Sequence, residues 1–266
     1  MSANIQTIAR SDSQPAGEWG CTPTLGYSSQ HDAPLSRLGA IAASVALEAG
    51  DELFEQDDPV TYCYQVVSGC IRTVRLMEDG RRQIGGFLMP GDVLGFDARG
   101  RHDYAAQAVS GTVLKRYPVH AVLNRAERDA GFAMWLWRMA AGQLHRAREH
   151  AVLLGRMTAT ERVARFLCDM QARGGQPAGQ WVTLAMQRAD IADYLGLTVE
   201  TVSRTLTQLR RARAIDIQPG KVIVRSQRAL VDMAADTMPE EEVALPLAAG
   251  GLAHARFNDT VHAPAA

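Results

Sequence analysis

In the first half of the chain, hydrophobic residues fall in short runs separated by glycine-containing turns. Five runs between residues 41 and 118 have the length and composition of β-strands: SVALEA, YCYQVVSG, CIRTVRLM, QIGGFLMP and GTVLKRYP. Short strands at regular spacing, with turn residues between them, are typical of an antiparallel barrel or jelly roll. The pattern therefore predicts an antiparallel β-domain, a barrel or jelly roll, over residues 36–118, ending at Pro118.

After the last strand run, the hydrophobic period changes to that of a helix. The pattern predicts one long helix from about Val119 to Arg156, with apolar residues spaced alternately by four and three from Ala133 onwards. This heptad spacing is typical of a two-helix coiled coil and predicts dimerisation, although one helix packed on its own β-barrel could give a similar pattern. The residues of the predicted dimer seam are Trp137, Ala140, Leu144, Ala147, Ala151 and Leu154.

Two short helices joined by a tight turn are predicted between residues 189 and 215. Gly196 tolerates the positive φ that such a turn needs, and Thr198 is a suitable N-cap for the second helix. Apolar residues occur on one side of each helix, as in a helix-turn-helix. These inward-facing residues are Ile191, Ala192, Leu195, Val202, Leu206 and Leu209.

Polar residues on the other side of the second helix are suited to contact DNA bases. Arg204 can donate two hydrogen bonds to guanine O6 and N7. Glu200 can accept from cytosine N4 and can also hold the Arg204 guanidinium, while Ser203 can reach a neighbouring base or a phosphate. The alternative is an ordinary helical hairpin with a solvated Glu–Arg pair. Phosphate contacts are predicted for Arg188, Thr198, Thr201, Gln208 and Lys221.

A Pro-Gly turn between two short β-runs, residues 215–224, follows these helices and predicts a wing. We therefore expect a winged helix-turn-helix domain over residues 157–232. Residues 1–35 and 233–266 lack periodic apolar content and are expected to form a flexible N-terminal arm and a flexible C-terminal tail.

Charge is distributed in a way that favours a nucleic-acid partner. The net charge is only -1, yet residues 188–228 contain eight basic and four acidic residues, a local balance of +4. No run of eighteen apolar residues and no secretory signal pattern occurs, which predicts a cytoplasmic protein without a membrane partner. No nucleophile–base set or phosphate loop is present, so an enzyme is not expected.

These motifs resemble the Crp/Fnr family of transcription regulators. The stretches LLGRMTATERVARFL (153–167) and DIADYLGLTVETVSRTL (190–206) are most similar to its FixK-like branch. Glu200, Ser203 and Arg204 match the Fnr-type recognition helix, whereas the Crp type has an arginine at Val199 and a glycine at Ser203. The resemblance implies an α+β chain with a cyclic-nucleotide-binding-like β-roll, a long dimerisation helix and a C-terminal winged helix-turn-helix.

The resemblance also implies a function. A homodimer would bind double-stranded DNA at a TTGAT-like inverted repeat and act mainly as an activator. Under this hypothesis, exposed loops of the β-roll such as residues 78–82 could touch RNA polymerase. FixK-like proteins control genes of low-oxygen respiration or nitrogen metabolism. The regulated genes, and activation or repression at each promoter, stay open.

The effector residues of the family are largely missing. Asp92 stands near the glutamate of the cAMP-binding pattern, but no Arg-Ser pair follows, and Arg99 and Arg101 are expected to be surface arginines. Only Cys21 lies where Fnr carries its cluster cysteines. We therefore expect no cofactor and no metal. A regulator gated by a small molecule in the β-roll is the alternative.

Lone side chains that could hold a cofactor are interpreted as structural. The histidines that could ligate a haem, His102, His120 and His145, are expected to be solvated. Cys63, Cys70 and Cys168 are scattered, and no CxxC pair occurs. Reduced thiols are therefore expected, with Cys168 buried and inert among apolar neighbours.

Overall fold

The computed structural model describes Leu35 and residues 41–174, 179–226 and 228–230. The predicted flexible arm and the predicted tail lie outside these residues, with the exception of Leu35. This leucine is fully buried in a cluster with Cys63 and Tyr117. The chain is therefore already packed on the β-roll at the last residue of the predicted arm.

Eight strands form the β-roll, as two four-stranded antiparallel sheets with strand orders β1-β8-β3-β6 and β2-β7-β4-β5. Val66, Ile71 and Leu114 are almost completely buried in one of its apolar clusters. Side chains alternate across a sheet, and this is clearest in β8, where Thr112 and Leu114 are buried and Val113 between them is exposed. The strands are β1 (Ala43–Leu47), β2 (Glu52–Phe54), β3 (Tyr62–Ser68), β4 (Ile71–Leu76), β5 (Arg82–Leu88), β6 (Val93–Leu94), β7 (Ala105–Ala108) and β8 (Thr112–Pro118).

The predicted single helix over residues 119–156 is wrong in one respect, because the structure has two helices there. These are α1 (Val119–Arg128) and α2 (Ala130–Arg156). Asp129 between them is extended, with φ -135° and ψ 98°, and its carboxylate accepts a hydrogen bond from the Phe132 N–H at 3.0 Å. A side chain that caps the next helix in this way ends the previous helical run.

The remaining elements form a winged helix-turn-helix. Strands β10 and β11 form the wing, and β9 extends their sheet on the other side of β11. Thr158 and Glu161 form a capping box at the start of α3. The elements are α3 (Ala159–Arg173), β9 (Val182–Thr183), α4 (Arg188–Leu195), α5 (Val199–Arg211), β10 (Ile215–Gln218) and β11 (Lys221–Val224). The predicted α+β architecture is confirmed.

Helix α4 packs against β5 of the β-roll through a group of ion pairs. The carboxylate of Asp190, which is 3% exposed, lies 2.7 Å from Arg72 and 3.1 Å from Arg82. Arg82 also lies 2.6 Å from Asp193, and the side chain of Gln83 donates to the Asp193 carbonyl at 2.8 Å. A buried carboxylate is tolerated only with such partners, so these contacts fix how the helix-turn-helix is oriented on the β-roll.

Candidate DNA-binding site

The turn between α4 and α5 depends on two adjacent local features. Gly196 has φ 61° and ψ 42°, the left-handed conformation predicted for it. Thr198 then caps α5 by accepting a hydrogen bond from the Thr201 N–H at 3.1 Å. Both residues therefore do what their positions in the sequence predicted.

One face of α5 is buried and the opposite face is open. Val202 and Leu209 are fully buried, and Leu206 is 6% exposed, as the apolar spacing predicted. Glu200 and Arg204 are exposed on the other side, and Ser203 is half-buried. Because the buried face fixes the rotation of the helix, these three polar side chains are presented together at the surface.

The contact that Glu200 could make with Arg204 is not formed. Among the residues that the structure describes, no ion pair joins these side chains within 4.0 Å, although they are one helical turn apart. The Arg204 guanidinium is therefore not held by Glu200 and keeps its donors available for a base edge.

Arg188 has a partner that the sequence did not indicate. It is the first residue of α4, and its Nη1 donates to the Ser203 Oγ at 3.0 Å. The residue predicted as a phosphate contact thus lies beside a predicted base-reading residue. Sequence patterns carry no signal for such a pair, because the two residues lie on different helices.

The other residues predicted to contact phosphate differ in whether their side chains are engaged within the protein. Thr198 and Thr201 are engaged in the cap of α5, with their hydroxyl oxygens 3.0 Å apart. Gln208 and Lys221 are exposed, and Lys221 begins β11 directly after the turn residue Gly220, which has φ 68°. DNA contact by these residues stays a prediction.

The predicted dimer seam lies on the surface of the single chain. Trp137 is 66% exposed and Leu144 is 51% exposed, and the seam alanines 140, 147 and 151 are exposed as well. Leu154 differs, because it is half-buried and its side chain lies beside Gly196. The structure therefore leaves most of the seam free for a partner but uses Leu154 within its own chain.

A cavity of about 300 Å³ lies between the β-roll, α2 and α3. Asp92 lines it but is already engaged, because its carboxylate lies 2.6 Å from Arg173 and accepts from the Met89 N–H at 2.8 Å. Arg99 pairs with Asp103, and Arg101 donates to the Asp57 carbonyl at 2.6 Å. Asp92 at the glutamate position, and both arginines considered for a nucleotide phosphate, are thus paired with protein groups.

The expectation of a solvated histidine is wrong for His102. His102 is only 3% exposed, and its ring stacks on that of Phe54 with 3.6 Å between the ring centroids. Its Nδ1 lies 2.8 Å from the Asp97 Oδ2, within hydrogen-bond distance. His120 and His145 are exposed, as expected. Within the described residues, no group of histidine, cysteine and carboxylate side chains could hold a metal ion.

The described cysteines are free thiols inside the protein. Cys63, Cys70 and Cys168 are all buried and unbridged, as expected, whereas Cys21 lies outside the described residues. Burial raises the pKa of both Cys63 and Cys70 to about 12. These two thiols therefore stay protonated and unreactive at neutral pH.

None of the helices in the described part of the chain is long and apolar enough to cross a lipid bilayer.

Two domain families match the chain, and together they define its class. A Crp-like helix-turn-helix domain matches residues 161–233, and a cyclic nucleotide-binding domain matches residues 44–129. With the exposed polar face of α5, this fold is that of a DNA-binding transcription regulator with an N-terminal cyclic-nucleotide-binding-type domain.

Known relatives narrow the class to one family. The nitrogen fixation regulation protein FixK of Azorhizobium caulinodans is 38% identical over 232 residues, which cover 86% of this chain and 94% of that protein. The transcriptional activatory protein AadR of Rhodopseudomonas palustris is 37% identical over 69% of this chain and 78% of its own length. The structure of FixK2 from Bradyrhizobium japonicum has 40% identity and a TM-score of 0.69, covering 72% of this chain and 96% of that one. The chain belongs to the Crp/Fnr family of transcription regulators, in its FixK-like branch.

Proposed function

We propose that two copies of this chain bind a TTGAT-like inverted repeat, with α5 of each copy in the major groove. The observation that carries the proposal is the open face of α5, where Glu200, Ser203 and Arg204 are presented together while the opposite face is buried. In such a dimer, the two recognition helices would enter successive major grooves about 34 Å apart. Trp137 and Leu144, exposed on α2, support pairing through this helix.

The regulatory outcome is inferred from the relatives. FixK is named for the regulation of nitrogen fixation, and AadR is named as an activatory protein. We infer that this chain acts mainly as an activator of genes for low-oxygen respiration or nitrogen metabolism. We infer that the protein binds DNA in the cytoplasm and does not act as an enzyme. It would activate transcription by bringing RNA polymerase to the promoter through exposed β-roll loops.

The proposal is tested by fluorescence anisotropy of the full chain on a labelled TTGAT-type palindrome and on a scrambled duplex of equal length. The palindrome is expected to bind at least about a thousandfold more tightly, the lower end of the specificity of DNA regulators. Arg204→Ala should remove discrimination at the guanine of each half-site, about tenfold to a hundredfold.

Lys221→Ala is the control in this experiment. The exposed wing lysine is proposed to contact only phosphate, so its loss should weaken binding to both duplexes by a similar factor. Equal affinity of the unmodified protein for palindrome and scrambled duplex would contradict the proposed function.

A second candidate function is gating by a small molecule, and the cavity of about 300 Å³ between the β-roll and α2 favours it. Titration calorimetry against cyclic nucleotides and a visible absorption spectrum of the purified protein would test it. Heat of binding, or an absorption band above 400 nm, is the supporting result. A colourless protein with no heat of binding would contradict it.

A further inference from the structure

Arg188 and Ser203 are joined by a hydrogen bond across the helix-turn-helix. The bond connects the first residue of α4 to the second turn of α5, with 3.0 Å between Arg188 Nη1 and Ser203 Oγ. Within the part of the chain that the structure describes, it is the one hydrogen bond of the Ser203 hydroxyl group. The hydroxyl proton therefore has no protein acceptor there.

The direction of this hydrogen bond follows from the chemistry of arginine. A guanidinium has five N–H donors and no acceptor, so Ser203 Oγ must accept from Arg188. The hydroxyl proton then points away from Arg188. A cationic donor also polarises the hydroxyl group, which becomes a stronger donor towards a third group and a weaker acceptor from one.

We propose that Arg188 is a positioning residue that makes Ser203 a hydrogen-bond donor to DNA and so selects a keto base over an amino base. The proposal rests on the proposed function, in which α5 faces base edges. In the major groove, thymine O4 and guanine O6 accept hydrogen bonds, whereas adenine N6 and cytosine N4 donate them. A donor-biased Ser203 favours the keto oxygens of the first pair and cannot bond the amino groups of the second, which leaves adenine N7 as the one acceptor that an amino base offers.

The competing role for Arg188 is a phosphate contact alone. In that role the arginine would leave Ser203 when DNA binds, contribute to affinity on every sequence and carry no base preference. The two roles therefore differ in what is lost on substitution. The positioning role predicts a loss of preference at one base pair, and the phosphate role predicts a uniform loss of affinity.

The test measures the affinity of the full chain, at fixed salt, for the palindrome and for duplexes in which each half-site base pair is replaced in turn. Ser203→Ala identifies the base pair at which Ser203 acts. Arg188→Met is expected to reduce the preference for a keto over an amino base at that same pair by about fivefold, the factor that corresponds to the net free energy of one hydrogen bond. Base preferences at the other positions should persist. The variant that combines Arg188→Met with Ser203→Ala should lose no more base preference than Ser203→Ala alone.

Arg211→Met is the matched control, because it removes the same charge from an exposed arginine in the last turn of α5, the helix that carries Ser203. It should leave the preference at every base pair unchanged. Thermal unfolding followed by circular dichroism verifies that each variant is folded.

Two results would overturn the proposal while leaving the proposed function intact. One is that Ser203→Ala changes no base preference. The other is that Arg188→Met weakens all duplexes equally and lowers the slope of log affinity against log salt by about one, as a lost phosphate contact does. Indiscriminate binding by the unmodified protein would instead overturn the proposed function, and this proposal with it.

Discussion

Gly196 is the residue on which the geometry of the helix-turn-helix depends most directly. It ends α4 with φ 61°, a conformation that costs other residues free energy because their Cβ lies close to the backbone. A Cβ added here would also lie 3.3 Å from the Leu154 Cδ2 and 3.5 Å from the Arg162 Nη1. Backbone conformation and close packing therefore both favour glycine at this position.

Gly196→Ala is expected to lower the free energy of unfolding by about 1–2 kcal/mol, because alanine is strained at positive φ. Urea denaturation followed by circular dichroism measures the change. Gly142→Ala is the control, since Gly142 is helical and the nearest atom to its added Cβ is the flexible Arg146 Nη1 at 4.0 Å. That substitution should stabilise the protein by about 0.5–1 kcal/mol. Equal effects of the two alanines would contradict this account of the turn.

Residues that obey local rules could be predicted from the sequence, and residues paired at long range could not. Gly196 and Thr198 follow from turn and capping preferences, and both have their predicted roles. The contact of Arg188 with Ser203, and the burial of Asp190 between two β-roll arginines, depend on how separate elements pack. No local pattern contains that information.

Helices α2 and α4 meet through a histidine and a tyrosine. The His150 ring stacks on Tyr194 at 4.2 Å between centroids, and its Nε2 donates to the Tyr194 carbonyl at 2.8 Å. Burial lowers the pKa of His150 below its ordinary value of 6.5, against a smaller raising effect of the hydrogen bond. Packing of the two helices therefore favours the neutral form of the His150 ring.

The lowered pKa of His150 makes the stability of this packing depend on pH. The unfolded chain binds a proton at His150 below pH 6.5, and the folded chain binds it only at lower pH. The contribution of His150 to the free energy of unfolding is therefore fully present above pH 6.5 and is lost as the pH falls towards the pKa of the folded state. The urea concentration at the midpoint of unfolding should be lower at pH 5.5 than at pH 7.5 for the unmodified protein. The difference between the two midpoints should be smaller for His150→Gln. An equal decrease in both proteins would contradict this assignment.

Three short strands of the β-roll were not predicted, although the wing strands β10 and β11, of four residues each, were. Strands β2, β6 and β7 have three, two and four residues, too few for alternation to stand out, and they were missed. The break at Asp129 was missed because it is made by one side chain that caps the next helix, with no proline beside it to mark the end of a helix. The β-roll and the helix-turn-helix were predicted because their longer elements have clear periods.

At the scale of the whole molecule, the largest exposed apolar side chain on α2 is Trp137, at 66% exposure, and Leu144 follows two helical turns later. Contact of this stripe with a second copy would remove both side chains from water and place two recognition helices on one DNA. The ion pairs of Asp190 would meanwhile hold each helix-turn-helix to its own β-roll.

Replacing Trp137 and Leu144 together by glutamate is expected to convert the dimer into a monomer, because charges in a heptad seam repel and are desolvated on pairing. Analytical ultracentrifugation should give a mass near 28.9 kDa for this variant and about twice that for the unmodified protein. Leu123→Glu is the control, since Leu123 on α1 is also 51% exposed but lies outside the seam. A variant that stays dimeric would exclude this seam.

Hydroxyl-radical footprinting of the full chain on a TTGAT-type palindrome tests the central claim most directly. We expect two protected segments whose centres are about 10 base pairs apart, related by the symmetry of the site and lost together in Arg204→Ala. Protection of a single half-site, or protection that does not depend on the sequence of the duplex, would contradict the account.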